Sequence, residues 1–174
     1  MEYYNIASSL DESAKKYPYQ PAIYFPSGRD KDGRAEYQML SFKQLAELSD
    51  QYAQGFLDYG ISRGERTLLM IRPSIDFIAV TFALLKIGAV PVLIDPGMGT
   101  KPFMQCVAET EPVNMIGIPI AHILRFFIRK PFKTIKRFVT VGRKLFWPGV
   151  ELRALKASDT SELRIAITGS TDEG

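Results

Sequence analysis

Cysteine and histidine are almost missing from this chain: Cys106 and His122 are the only examples. A single cysteine excludes an internal disulfide and any cysteine-rich zinc site. A lone histidine would need a partner nucleophile for dyad chemistry, and the sequence points to none. Long apolar runs are missing too. The nearest, "MIGIPIAHIL" at 115–124, is interrupted by Pro119 and His122 and falls short of the ~18 apolar residues a membrane span needs. The N-terminus, "MEYYNIASSLDESAKK", lacks a basic start followed by an apolar stretch, so a secretion signal is not expected and a cytoplasmic location is. There is no internal repeat and no low-complexity segment. Acidic residues are absent from Pro112 to Val150, a stretch with eight lysines and arginines. The formal charge of the whole chain is only +3, so the remainder is net −5 and the basic block is a local feature.

What is present fits one globular domain with a tail. The chain has 174 residues, 46% hydrophobic and 24% charged, which is enough to bury a core and excludes disorder throughout. Near the start, Ile6, Leu10, Ala14 and Tyr17 share a helical face, with Asn5 as N-cap and Pro18 as stop. "AIYF" (22–25) and "YQML" (37–40) read as strands around a polar turn at 26–34. Ser41 with Gln44 forms a capping box for a helix that buries Leu45, Leu48, Tyr52 and Phe56 and ends at Gly60.

From residue 67 the pattern becomes strand, helix, strand. Short apolar runs at 67–71, 90–95, 113–118 and 137–142 alternate with helices at 74–88, 102–110 and around 120–130. Such strands, apolar on both sides, predict an α/β fold: a mostly parallel sheet with helices on both faces. The tail from Arg143 reads as irregular until "RIAIT" (164–168).

Several segments invite a chemical reading. "DPGMGTKP" (95–102) has two glycines where a strand meets a helix, but Pro102 stands where a dinucleotide fingerprint needs its third glycine, so a tight turn is expected. Cys106, between apolar neighbours, reads as a small core residue, and His122 as a packed helix-start residue. Asp11 with Glu12, and Glu109 with Glu111, read as solvated carboxylates, and nothing has metal-ligand spacing. Arg125, Arg129 and Lys133 recur every four residues among Phe126, Phe127, Ile128, Phe132 and Ile135. That pattern suits an anionic membrane surface, or a surface helix whose cations snorkel above a core face, with Pro131 set against one long helix. No nucleic-acid recognition motif accompanies the charge. At the end, Thr168-Gly169-Ser170-Thr171 follows a strand-like run, and glycine between hydroxyl residues can wrap an oxyanion.

Three segments together resemble AMP-forming acyl-adenylating enzymes, a superfamily that includes acyl-CoA synthetases, luciferases and peptide-synthetase adenylation domains. "LSFKQL" (40–45) is similar to its leading element, with Gln44 in the acidic place. "LLKIGAVPVLIDPGMG" (84–99) is similar to its second, and "AITGST" (166–171) to the opening of its phosphate loop. The wider wording looks closest to fatty acid–CoA ligases and olefin-biosynthesis β-lactone synthetases.

The resemblance implies ATP and Mg²⁺ as cofactors and a fatty or 3-hydroxy acid as substrate, activated as an acyl-adenylate. It assigns Thr168, Gly169, Ser170 and Thr171 to the ATP β- and γ-phosphates, and it assigns no catalytic or metal-binding residue. It also implies an N-terminal portion: an α/β unit over 1–150 and a tail over 151–174 ending in a partial phosphate loop. Past Thr171 the family's Gly-x-Pro-Lys-Gly is replaced by Asp172-Glu173-Gly174, which places carboxylates where a polyphosphate would lie. The chain alone is therefore expected not to adenylate, and to need a complementing chain or to self-associate. The alternative is a non-catalytic module that binds acyl chains, a membrane surface or a partner through the block 125–137.

Overall fold

The computed structural model describes residues 5–161, Leu163 and Ala166. The first helix, α1 (Ile6–Lys16), is capped by Asn5, whose side chain accepts from the Ala7 N–H at 2.9 Å. A hairpin follows, β1 (Pro21–Arg29) and β2 (Ala35–Ser41), paired antiparallel. Helix α2 (Phe42–Asp58) starts in the expected capping box: Ser41 accepts from the Gln44 N–H and Gln44 from the Ser41 N–H. It stops at Gly60, whose φ of +90° suits a residue without Cβ.

The remaining strands form one parallel sheet: β3 (Arg66–Met70), β4 (Val90–Leu93), β5 (Asn114–Gly117), β6 (Arg137–Thr140) and β7 (Val150–Glu151). Their spatial order is β4-β3-β5-β6-β7. Helices α3 (Ile75–Lys86), α4 (Thr100–Thr110) and α5 (Pro119–Phe127) connect them. Register explains the two-sided burial. Leu68 pairs with Met115 and Met115 with Phe138, while Leu69 pairs with Ile116 and Ile116 with Val139. Because successive side chains of a strand point to opposite faces, the two rows separate. Leu69, Ile116 and Val139 join the core beneath α1, α2 and α3, around Leu45, Phe56, Val80 and Leu84. Leu68 and Met115 join a second core with Phe103, Val107, Ala121, Phe132 and Ile135, against which Phe138 packs. The predicted α/β class, with a covered parallel sheet, is the observed one.

Three details differ from the sequence reading. The hairpin strands run several residues further than 22–25 and 37–40, because the pairing continues to Arg29↔Ala35 with a register shift between Pro26 and Gly28. Helix α5 ends at Phe127, and a separate 3-10 turn, Lys130–Phe132, follows with Arg129 and Lys133 flanking it. Finally, the segment after Arg143 is not irregular: β7 pairs Val150 with Val139 and Glu151 with Thr140, and a 3-10 turn, Leu152–Leu155, follows. The boundary read at 150 thus falls inside β7.

Two glycines make this last packing possible. A Cβ on Gly149 would stand 2.2 Å from the Phe138 carbonyl oxygen, and one on Gly55 would stand 1.6 Å from that of Leu155. Leu152 is buried in the main core. Among the described residues no helix is long and apolar enough to cross a membrane.

Candidate functional site

Thr168, Gly169, Ser170 and Thr171 lie outside the described residues, but the chain leading to them is fixed at Ala166. The Ala166 N–H donates to the Lys86 carbonyl at 2.7 Å. The Ala166 carbonyl accepts from Asn5 Nδ2 at 2.8 Å, and the same nitrogen donates to the Leu85 carbonyl at 2.7 Å. Asn5 therefore does two jobs with one amide: its oxygen caps α1, and its nitrogen clamps the approach to Thr168 against the end of α3. A Cβ on Gly88 would come within 2.9 Å of the Ala166 Cβ, so a side chain there would crowd the same approach.

Lys86 holds the end of α3 in turn. It is fully buried, and its ammonium donates to Asp11 Oδ1 at 2.7 Å and Asp50 Oδ1 at 2.5 Å. One residue each from α1, α2 and α3 thus meets in a single ionic cluster. Burial pushes the Asp50 carboxyl up from its ordinary value, against the opposing pull of Lys86. The sequence reading left Asp11 solvated and passed over Lys86. The available signal was position: Lys86 follows Ala79 and Ala83 on the buried face of an otherwise apolar helix, where a cation needs partners. With its protons committed to two carboxylates, Lys86 is a structural cation.

A second polar network was also missed. Glu65 accepts from the Ser62 N–H at 3.0 Å, from Asn114 Nδ2 at 3.2 Å and from Arg137 Nη1 at 3.1 Å. Burial opposes ionisation of Glu65, but these donors outweigh it and hold the carboxyl below its usual range. Arg137, counted in the basic block, is thus spent inside the fold.

His122 is a packed residue, as read. It is fully buried and stacks on Trp147 at 5.3 Å, and its Nε2 meets the Val139 carbonyl at 3.1 Å. Trp147 donates to Thr140 Oγ1 at 2.9 Å. Burial, with the nearby Arg125 charge, pushes His122 down to about 4 despite the Val139 hydrogen bond. Cys106 is only half-buried and belongs to neither core. Residues 95–99 form a turn, in which Asp95 accepts from the Gly97 N–H at 2.7 Å and Gly99 has φ of +92°, and α4 begins at Thr100. Glu109 accepts from Gln105 on the exposed side of α4. No group of three or more His, Cys, Asp or Glu suited to a metal ion occurs among the described residues.

The basic block does not form one amphipathic face. Arg125 is half-buried, its guanidinium 3.7 Å from the centre of the Phe138 ring, and Arg129 and Lys133 stand exposed around the 3-10 turn. Pro131 and Phe132 are buried there, which breaks the four-residue periodicity at the helix end.

The parallel sheet agrees with what comparison with known proteins finds. The AMP-binding enzyme family matches residues 10–161, and the chain belongs to that family. An olefin beta-lactone synthetase of Stenotrophomonas maltophilia is 46% identical over 154 residues, which is 87% of this chain and 28% of the relative. One from Xanthomonas campestris is 45% identical over 150 residues, covering 85% of this chain and 27% of the relative. The chain thus spans less than a third of the length of these relatives. Among solved structures, an anthranilate CoA ligase, AuaEII, in complex with anthranoyl-AMP is similar in fold, with a TM-score of 0.80 at 18% identity. It covers 98% of this chain and 31% of the other.

Proposed function

We propose that this chain corresponds to the N-terminal α/β part of an adenylate-forming ligase of the olefin β-lactone synthetase type. In that reading the intact enzyme uses ATP and Mg²⁺ to activate a fatty or 3-hydroxy acid as its acyl-adenylate. The observation that carries it is the 46% identity over 154 residues to an olefin beta-lactone synthetase.

The role of this span is delivery. Asn5, Lys86 and Ala166 fix the chain two residues before Thr168, so that Thr168, Gly169, Ser170 and Thr171 can wrap the phosphates of ATP with N–H and hydroxyl donors. The segments 40–45 and 84–99 serve as scaffold through the capping box and the Lys86 cluster.

Residues 1–174 alone are proposed not to adenylate, because Asp172 and Glu173 stand where the family's phosphate-loop lysine region would lie. The test is ATP–pyrophosphate exchange by the purified chain with long-chain and 3-hydroxy acids. No exchange is expected, and exchange above background would overturn this part of the reading.

A further inference from the structure

A cavity of about 280 Å³ lies between α5 and the 3-10 turn, lined by Arg125, Phe126, Arg129, Phe132 and Lys133. Three of its five lining residues are cations. None of them makes an ion pair among the described residues. The stretch from Pro112 to Val150 has no carboxylate to offer them.

Arg125 is the most telling member. Its Nε and Nη2 are closed off from solvent and have no hydrogen-bond partner among the described residues. Its guanidinium rests on aromatic faces, with centroids of Phe138 at 3.7 Å and Phe126 at 5.1 Å. Ring faces offset part of the cost of a half-buried cation, but they accept no conventional hydrogen bond. Guanidinium N–H groups match the oxygens of a phosphate or carboxylate, and Nη1, which is not among the closed-off atoms, is the Arg125 donor open to a ligand.

We propose that this cavity is an anion site for a phosphate ester. Arg125, Arg129 and Lys133 provide the charge for the phosphate, and Phe126 and Phe132 provide apolar walls for the group esterified to it. The aromatic walls favour an ester over inorganic phosphate. The site lies on α5 and the turn after it, and does not depend on the ligase reading.

Trp147 gives a built-in reporter. Phe126 packs on Phe146 at 5.5 Å, and Phe146 on Trp147 at 5.5 Å. The chain of residues 1–174 is titrated with phenyl phosphate, with phenol as the uncharged control, following Trp147 emission and heat. Saturable one-to-one binding of phenyl phosphate but not phenol is expected. Arg129→Gln with Lys133→Gln should weaken it about 10-fold or more, and Thr168→Ala with Ser170→Ala should leave it unchanged. Arg125→Lys, which keeps the charge but loses the guanidinium resting on the Phe138 ring, should weaken it as well. Melting curves of each variant establish that it is folded.

Two sources of the ester are separated by competition. Displacement of phenyl phosphate by phosphatidic acid vesicles, and not by phosphatidylcholine vesicles, assigns a lipid headgroup. No displacement assigns a soluble ester. Absence of saturable binding, or equal affinity in the Arg129/Lys133 variant, would overturn the site. Loss of binding in the Thr168/Ser170 variant would also overturn it, by moving the anion to the glycine-hydroxyl segment.

Discussion

Lowering the pH from 7.5 to 5 should destabilise this protein through one residue, His122. Its folded-state value, about 4, lies below the ordinary 6.5 because the ring is buried. The unfolded chain therefore binds a proton between those values when the folded chain does not. A group depressed on folding contributes stability above its unfolded value and loses it as pH falls towards its folded value. Linkage then gives a loss of about 2 kcal/mol by pH 5 and about 3 kcal/mol below pH 4. For a domain of this size, 2 kcal/mol corresponds to a fall in Tm of roughly 4–8 °C. The upper part of the window is the cleaner one, because Asp50 is raised by burial from 3.8 and acts in the opposite sense when it takes up its proton. Urea unfolding followed by Trp147, the sole tryptophan, reads the effect beside its source, since the indole stacks on the imidazole. His122→Phe keeps a ring against Trp147 and removes the proton site, at about 1 kcal/mol for the lost Val139 hydrogen bond. Its stability should be flat from pH 7.5 to 5. An equal loss in wild type and variant, or a flat wild type, would refute the assignment.

Lys86→Met leaves Asp11 and Asp50 facing one another without a cation and should cost about 2–3 kcal/mol, below the full buried-pair range because both carboxylates keep some solvent contact. Replacing all three with Met, Ala and Ala should recover most of that in urea titrations. Gly55→Ala should cost about 2 kcal/mol despite the better helix propensity of alanine, because the added Cβ meets backbone at Leu155; thermal melts read it. Asn5→Asp keeps the acceptor that caps α1 but loses the donors to Leu85 and Ala166, so amide exchange at Ala166 should accelerate while that at Ala7 holds.

Much of the fold is written locally. The capping box at Ser41, the Asn5 cap and the apolar strands at 67–71 and 113–118 each carry their own signal, and they combine into the observed parallel sheet. What escaped the sequence reading depends on distant partners. β7 exists because Gly149 lets its backbone approach Phe138, and neither residue signals the other. Asp11 and Asp50 look like ordinary surface carboxylates until α1, α2 and α3 bring them to Lys86. Arg125 keeps the spacing of a surface stripe, yet its guanidinium turns onto Phe138. Of the candidate site, the glycine-hydroxyl segment is an expectation from the order of three motifs and lies outside the described residues, whereas the contact of Asn5 with Ala166 spans 161 positions and left no local trace.

The most direct test of the central claim is a chimera. Residues 10–161 of this chain replace the matching segment of the Stenotrophomonas olefin beta-lactone synthetase, and ATP–pyrophosphate exchange is measured with a 3-hydroxy acid. The account predicts a folded chimera that exchanges within about 10-fold of its parent, a barrier change of roughly 1.4 kcal/mol. A folded chimera with no exchange would contradict it.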